Sequence, residues 1–157
     1  MPRPVAAPLH FEAYSSENAP IFEATLKNTY TESLDAPELN GVRSIPQILE
    51  SHRQEGRDRP DLWWLVRHKD QPVGVVLLTQ FVDGLHWNLS YMGLIPEVRG
   101  QGWGYALGFR AIATAHAEGA LELWNSVDER NLPARKLYAK LGFEEHERQQ
   151  VLLKSFR

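Results

Sequence analysis

The hydrophobic pattern of this chain changes its period near residue 100, and no other feature limits the fold as strongly. Between residues 62 and 95 the apolar residues form short runs rich in Val and Leu, which predict three strands with a two-residue hairpin turn at Asp83–Gly84. From Gly102 to Gly119 small residues recur at spacings of four and three, which predicts a helix lying close to a sheet. A further strand, helix and strand follow. An antiparallel meander that continues into a strand–helix–strand unit favours a mixed sheet with helices on its faces.

The complete predicted order is β-α-α-β-β-β-α-β-α-β, an α/β (α+β mixed sheet) architecture. The chain has 157 residues, the length of a single domain, and its first eight residues predict a loose tail because they are rich in Pro and Ala. Ser44 is suited to cap the second helix, with Pro46 in its first turn. The predicted strands are 9–14, 62–66, 73–82, 85–95, 121–127 and 143–156, and the predicted helices are 20–34, 45–55, 102–119 and 132–141.

Composition excludes several classes of protein. With 43% hydrophobic residues and a net charge of −3, the chain has the material for a core and cannot be disordered throughout. It has no run near the ~20 apolar residues of a membrane span. It also has no cysteine for a disulfide or metal site, and no His-x-x-x-His pair. The slightly acidic balance argues against nonspecific nucleic-acid binding. We therefore expect a cytoplasmic protein with no metal site and no membrane or nucleic-acid partner.

The stretch Arg99–Gly104 joins the third strand of the meander to the helix and carries three glycines. They leave backbone N–H groups without side-chain cover near the positive end of the helix, which suits a phosphate or pyrophosphate. The P-loop string is absent, and the dinucleotide fingerprint fails because Tyr105 and Leu107 stand where glycine or alanine is required. A third pattern, Arg/Gln-x-x-Gly-x-Gly/Ala, is matched in full by the same stretch.

With that stretch the sequence resembles the GNAT superfamily of N-acetyltransferases. A second string supports the resemblance: Asn131 stands seven residues before Tyr138, which opens a Tyr-x-x-Leu-Gly-Phe sequence. One helix and one strand separate the two strings, as in the family. The resemblance covers residues 62–145 by sequence, and the first 60 residues only by the order of elements. It implies a GNAT-like fold and an acetyl-CoA-dependent N-acetyltransferase.

The resemblance implies a binding site for acetyl-CoA as co-substrate. The pantetheine arm would lie along the backbone of Leu94 and Ile95, where this strand splays from the next, and the pyrophosphate would sit on the amides of the glycine turn. Asn131 would reach the cofactor, although it is an equally good N-cap for its own helix. The implied cofactor-binding residues are Leu94, Ile95, Arg99, Gly100, Gln101, Gly102, Trp103, Gly104, Tyr105 and Asn131.

The reaction implied by the resemblance is direct attack of a primary amine, in a small molecule or a peptide, on the acetyl thioester. Tyr138 would be the general acid that protonates the departing CoA thiolate, since a phenol has a pKa above that of a thiol. The alternative is that Tyr138 is a core residue that only packs. Many family members carry a glutamate base on the strand before the glycine turn, and this strand has none. The base would then be His86, Glu122 or an ordered water.

The resemblance also assigns the acceptor pocket to the first two helices and their loop, Ile21–Gly56. Acidic residues of that loop, Glu32, Asp35 and Glu38, could attract a cationic amine or could simply face solvent. Two rival functions stay open. One is a non-catalytic acyl-CoA sensor of the same fold. The other is a dinucleotide-dependent oxidoreductase, which the failed fingerprint disfavours.

The C-terminus departs from the family pattern, which usually ends in two strands joined by a turn. The 14 residues after Phe143 contain no Gly, Pro, Asn or Asp, the residues that form tight turns. We therefore predict one continuous strand, with the usual last strand missing. That would leave a sheet edge exposed, and because exposed edges pair with other strands, a homodimer becomes a hypothesis.

Overall fold

The computed structural model describes residues 2, 8–31, 44–127, 130–145 and 151–156 of the chain. The strands within these ranges are β1 (His10–Ala13), β2 (Trp63–His68), β3 (Gln71–Gln80), β4 (His86–Leu94), β5 (Glu122–Ser126), β6 (Glu144–Glu145) and β7 (Val151–Ser155). The helices are α1 (Ala19–Thr29), α2 (Ile45–Gln54), α3 (Trp103–Ala117) and α4 (Leu132–Lys140). Two short 3-10 turns, Pro60–Leu62 and Pro96–Val98, precede β2 and follow β4.

The strands form one mixed sheet in the order β1-β2-β3-β4-β5-β7-β6. β4 and β5 run parallel, with α3 in the crossover between them. The other neighbouring pairs of described strands are antiparallel. The predicted α/β class, the β2–β3–β4 meander and the strand–helix–strand unit are therefore confirmed. Among the described residues, none of the helices has the length and apolar character needed to cross a bilayer.

The β3–β4 connection is longer than the two-residue turn that the sequence predicts. β3 ends at Gln80 and β4 begins at His86, so five residues connect them. The Asp83 carboxylate accepts the backbone N–H groups of Leu85 (2.8 Å) and His86 (2.9 Å), and Gly84 takes a positive φ of 75°. Because Asp83 accepts these two N–H groups, they do not form further hydrogen bonds between β4 and β3. Both strands are therefore shorter at this turn than predicted.

Apolar side chains on the two faces of the sheet form two separate clusters, because successive residues of a strand point to opposite faces. The cluster beneath α3 and α4 includes Trp87, Leu89, Leu107, Ile112 and Leu141. The cluster beneath α1 and α2 includes Phe22, Leu26, Leu49, Leu65 and Leu77. The sheet thus has helices on both faces, and each face has its own core.

The glycines of the small-residue strip in α3 face α4 rather than the sheet. A Cβ on Gly108 would lie 2.4 Å from Cδ1 of Leu141, and a Cβ on Gly104 would lie 3.0 Å from Cδ2 of Leu137. The predicted close approach of α3 to the sheet is made by the alanines of the strip, Ala111 and Ala115, which are buried in the core with residues of β4. The space that the two glycines leave is filled by Leu137 of α4 and by Leu141 at its C-cap. Close contact between α3 and α4 holds the two helices together at one end of the sheet.

The predicted N-cap of α2 is confirmed. Ser44 Oγ accepts the Gln47 N–H at 3.3 Å, and Gln47 Oε1 accepts the Ser44 N–H at 3.1 Å, so the two residues form a capping box. α1 ends at Thr29, before the predicted end at Leu34. The loop that was expected to carry the acidic residues Glu32, Asp35 and Glu38 lies outside the described residues, as does most of the predicted N-terminal tail.

The prediction of a missing last strand is wrong. β6 and β7 form an antiparallel pair, with Glu144 opposite Leu153 and Glu145 opposite Leu152. Five positions separate the two strands in the sequence, and only two-residue hairpin turns depend on the Gly or Asn whose absence led to the prediction. The edge strand at the C-terminal side of the sheet is β6, which is two residues long and carries two exposed carboxylates. Such an edge resists pairing, so the reason given for a homodimer falls away.

Candidate functional site

β4 separates from β5 halfway along its length. The parallel pairing runs from His86 opposite Glu122 to Leu89 opposite Asn125. On its other side β4 pairs with β3, with Leu77 opposite Tyr91 and Leu78 opposite Leu89. Ser90 is therefore an extra residue of β4 that lies opposite no residue of β3, which makes it a β-bulge. Such a β-bulge bends its strand and increases the local twist. Beyond Leu89 the two parallel strands therefore diverge and leave a V-shaped opening in the sheet.

A cavity of about 530 Å³ occupies this opening. Its walls come from the last residues of β4, the glycine turn, the start of α3, and α4. Predicted site residues that line it are Leu94, Arg99, Gly100, Gly102, Gly104, Tyr105, Asn131 and Tyr138. The structure thus brings most of the predicted cofactor residues together with the predicted acid, Tyr138. The cavity also reaches Thr29 and Tyr91, whose hydroxyl groups are 2.9 Å apart.

The glycine turn presents bare backbone at the mouth of α3. Gly100 and Gly102 have φ values of 84° and 82°, a left-handed conformation that favours glycine, and a Cβ on either would meet nothing within 4 Å. Gly102 is the N-cap of α3 and has no side chain to cap it. The first N–H groups of a helix have no acceptor within the helix, and they carry its positive partial charge. The turn therefore suits an anionic group, and the adjoining cavity has room for an extended arm.

Arg99 forms part of the cavity wall and fastens α1 to β4. Its Nε donates to the carbonyl oxygen of Leu94 at 3.1 Å, and its Nη2 donates to that of Thr29 at 2.9 Å. Thr29 is the last residue of α1 and Leu94 is the last residue of β4. The planar guanidinium thus holds the end of α1 and the end of β4 together beside the cavity.

Three predicted cofactor residues do not line this cavity. The N–H of Ile95 donates to the Val73 carbonyl oxygen at 2.9 Å, so this group belongs to the sheet. The ring of Trp103 packs against that of His68, with 4.8 Å between the ring centroids. Gln101 is exposed on the outside of the glycine turn.

Asn131 and Tyr138 sit at the two ends of one wall, on α4. Asn131 Oδ1 accepts the Ala134 N–H at 3.2 Å, so the side chain is the N-cap of α4, and the residue also lines the cavity. Tyr138 is only 8% exposed and its ring contacts Phe143 edge-on at 5.6 Å. Asn131 and Tyr138 thus each make a structural contact within the fold, and each also lines the cavity.

His86 and Glu122, the predicted base candidates, lie at the opposite end of β4. His86 is the first residue of the strand, five positions before Tyr91. Its Nδ1 contacts Asp83 Oδ2 at 2.5 Å and its Nε2 lies 3.3 Å from Glu122 Oε1. The structure therefore does not bring His86 or Glu122 to the cavity, since both are engaged where β4 begins.

A different carboxylate, Glu55, reaches β4 at the bulge. It follows the last turn of α2, and its Oε2 accepts from the hydroxyls of Ser90 (2.5 Å) and Thr79 (3.3 Å) and from Asn88 Nδ2 (3.4 Å). Sequence reasoning searched β4 itself for a glutamate and missed this residue. No local pattern signals the contact, because it joins residues 35 positions apart.

Opposing effects act on the pKa of Glu55. Partial burial of the carboxyl raises the pKa, whereas His52, with Nδ1 3.7 Å from Oε1, and the donors on Ser90 and Asn88 lower it. The lowering effects win, and the pKa lies below its ordinary value. Glu55 is therefore a carboxylate at neutral pH.

Comparison with known proteins bears on this site. Residues 26–143 match the acetyltransferase (GNAT) family. An uncharacterised N-acetyltransferase of Mycobacterium tuberculosis is 38% identical over 77 residues, which are 49% of this chain and 49% of that protein. The peptidyl-lysine N-acetyltransferase YjaB of Escherichia coli is 37% identical over 90 residues, which are 57% of this chain and 54% of that protein. The chain thus spans about half the length of these curated relatives.

A solved structure supports the likeness at the level of the fold. The PaiA N-acetyltransferase of Thermoplasma acidophilum, in complex with coenzyme A, superposes with a TM-score of 0.66 at 16% identity. The match covers 94% of this chain and 99% of that chain. The arrangement of strands and helices around the V-shaped opening therefore has a counterpart of nearly the same extent.

Proposed function

Because this chain belongs to the acetyltransferase (GNAT) family, we propose that it transfers the acetyl group of acetyl-CoA to a primary amine. The observation that carries the proposal is the continuity of the glycine turn with the cavity between β4 and β5. One end of this space suits an anion and the other end is lined by apolar side chains. A pyrophosphate joined to a long thioester arm has the same two parts.

Acetyl-CoA would bind with its pyrophosphate on the backbone of Gly100 and Gly102 at the start of α3. The arm would extend along β4 from Leu94 towards Tyr91. Among the described strands, none pairs with the free side of β4 beyond Leu89, so this side offers backbone groups to an amide-bearing arm, apart from the Leu94 carbonyl oxygen, which accepts from Arg99 Nε. This placement uses backbone groups for binding and leaves the side chains of α4 to face the thioester.

In the proposed reaction the neutral amine attacks the carbonyl carbon of the thioester. A C–N bond forms, the C–S bond breaks, the CoA thiolate takes up a proton and the amine nitrogen gives one up. Tyr138 would supply the proton to the thiolate, because a phenol with a pKa near 10 is a weaker acid than a thiol with a pKa near 8.5. A lysine-like amine is only about 0.1% neutral at pH 7.4, which costs about 4 kcal/mol, so an acceptor that binds as the cation must give up a proton to solvent before it attacks.

The acceptor is proposed to be an amine of a peptide or of a small molecule. The name of the E. coli relative, a peptidyl-lysine N-acetyltransferase, supports lysine side chains as the first acceptors to test. Acceptor recognition would involve the α1 and α2 side of the sheet, since Thr29 of α1 lines the cavity there.

The test is calorimetric titration with acetyl-CoA, with NAD as the control ligand. Gly102→Leu fills the open space of the turn, and Gly119→Leu is its matched control. Gly119 also has a positive φ, 87°, and open space, but lies after the other end of α3. We expect binding of acetyl-CoA to weaken at least tenfold in the first variant and to persist in the second. Binding of NAD instead, or equal losses in both variants, would contradict the proposal. Binding without turnover of any amine would favour the acyl-CoA sensor.

A further inference from the structure

The bulge in β4 has a polar surface on the α1 and α2 side of the sheet. Trp87 and Leu89 of β4 point into the core beneath α3 and α4. Asn88 and Ser90, on the other face, meet Thr79 of β3, whose hydroxyl lies 2.6 Å from that of Ser90. The carboxylate of Glu55 lies over these three groups. One anion is thus held by two hydroxyls and an amide at the point where the sheet opens.

The arginines that neighbour Glu55 in sequence are directed elsewhere. Arg53 lies over the ring of Trp63 at 5.4 Å. Arg57 donates to the Val82 carbonyl oxygen at 2.8 Å. Arg59 forms ion pairs with carboxylates on two other segments, Asp61 and Glu118.

Among the residues that the structure describes, the ion-pair partner within 4 Å of Glu55 is His52. The side chain of Glu55 is about one-third exposed, at 34%. A carboxylate whose other partners are neutral donors, and which has His52 but no arginine within ion-pair distance in the described part of the chain, can accept a cation from solution.

The position of this carboxylate relates it to the cavity. Ser90, which donates to Glu55, is the immediate neighbour of Tyr91, and Tyr91 lines the cavity together with Thr29. Consecutive Cα atoms are about 3.8 Å apart, so Ser90, the carboxylate's partner, is directly next to a residue of the cavity wall. Tyr138 lines the opposite wall, on the α4 side. An acceptor that enters from the α1 and α2 side would pass Glu55 before it reaches the thioester.

We propose that Glu55 binds the ammonium group of the acceptor and thereby selects cationic amines. This inference rests on the proposed function, because it places the acceptor opposite acetyl-CoA in the same opening. Ser90 and Thr79 act as positioning residues, since their hydroxyls orient the carboxylate at the bulge. A carboxylate that is already ionised attracts an ammonium group but is a weak base, so the role assigned to it is recognition.

The experiment compares Glu55→Gln with Glu50→Gln in the full chain. Glu50 is an exposed carboxylate of the same helix, where it accepts from Gln54 Nε2 at 3.2 Å. Steady-state rates are measured with Nα-acetyl-lysine amide, a cationic amine, and with an aromatic amine that is neutral at the assay pH.

For Glu55→Gln we expect kcat/KM for the lysine probe to fall at least tenfold, mainly through KM, while the aromatic amine and the KM for acetyl-CoA change little. Glu50→Gln should behave as the parent. Glu55→Asp keeps the charge and should retain part of the preference for the lysine probe over the aromatic amine. It is the variant to measure if Glu55→Gln does not fold.

Equal losses for both amines, or no loss for either, would overturn the inference while leaving the acetyltransferase proposal intact. A parent protein that binds acetyl-CoA but acetylates neither amine would overturn both. A second readout needs no turnover. Calorimetry of the lysine probe, added to protein saturated with CoA, should show at least tenfold weaker binding to Glu55→Gln than to the parent.

Discussion

Arg99 and Thr29 are 70 positions apart, yet the guanidinium of Arg99 donates to the Thr29 carbonyl oxygen at 2.9 Å. The same guanidinium holds the Leu94 carbonyl oxygen at 3.1 Å. The residue that opens the glycine turn therefore also fixes the end of α1 against the end of β4. Through Arg99, the glycine turn is connected mechanically to the side of the sheet on which the acceptor is proposed to bind.

Replacing Arg99 with lysine should weaken this connection. A single ammonium group cannot reproduce the two directed hydrogen bonds of a planar guanidinium, and each lost bond costs on the order of 1 kcal/mol. We expect a lower free energy of unfolding, by about 1–2 kcal/mol, and weaker binding of acetyl-CoA. Urea unfolding and calorimetry measure the two effects.

Arg67→Lys is the matched control for Arg99→Lys. Arg67 also uses its guanidinium to join two segments, Glu12 and the Asp70 carbonyl group, at 3.1 and 3.0 Å. It lies away from the cavity, so this variant should lose stability but keep its affinity for acetyl-CoA. An unchanged affinity in Arg99→Lys would show that the connection does not shape the site.

Tyr138→Phe should lower kcat by about 100-fold or more, because general acid catalysis contributes that much to typical reactions. Binding of acetyl-CoA should change little, since the ring and its contact with Phe143 remain. The control is Tyr105→Phe, a second tyrosine on the cavity wall. A large loss in the Tyr105 variant with a near-normal Tyr138 variant would reverse the assignment of the acid.

Gly108→Ala should destabilise the fold, although alanine is the better helix former by about 1 kcal/mol. The new methyl group would meet Cδ1 of Leu141, which is fully buried and has little room to move. Overpacking of this kind costs about 1–3 kcal/mol. The double variant with Leu141→Ala tests the cause. In that background the glycine substitution should be neutral or stabilising, and equal destabilisation in both backgrounds would disprove the contact.

The Asp83 carboxylate should stabilise the β3–β4 connection only above strongly acidic pH. The N–H and side chain of His86, with the N–H of Leu85, lower its pKa to about 2. An unfolded aspartate has a pKa of about 3.9. Because the folded value is the lower one, the contribution is complete above the unfolded pKa and is lost as the pH falls towards 2. The stability difference between the parent and Asp83→Asn, measured by urea unfolding, should shrink from pH 6 to pH 3. A constant difference would contradict this assignment.

Short-range patterns predicted the parts of the site that a few consecutive residues define. The glycine turn and the N-caps Ser44 and Asn131 depend on spacings of less than ten residues. These features need no knowledge of which distant segments meet.

Contacts between distant segments escaped prediction for a physical reason. Alternation tells which face of β4 a residue occupies but not which end of the strand the cavity adjoins, so the prediction named His86, which lies at the far end of the strand. The bulge at Ser90 depends on the register with β3. Glu55 reaches β4 only because α2 ends above it. The β6–β7 pair was missed because the prediction looked only for the residues of tight turns.

The divergence of β4 from β5 has a consequence for sequence drift. A ligand that docks along the open side of β4 would be recognised by main-chain amides and carbonyls, which every residue except proline supplies alike. Side chains on that strand are then under little pressure from the ligand and need only suit the two cores. The PaiA structure has the same fold at only 16% identity, so most side chains of such a fold can differ while the strands keep their arrangement. Under the proposed function, preference for one acceptor over another would depend on side chains that overhang the opening from neighbouring helices, such as Glu55.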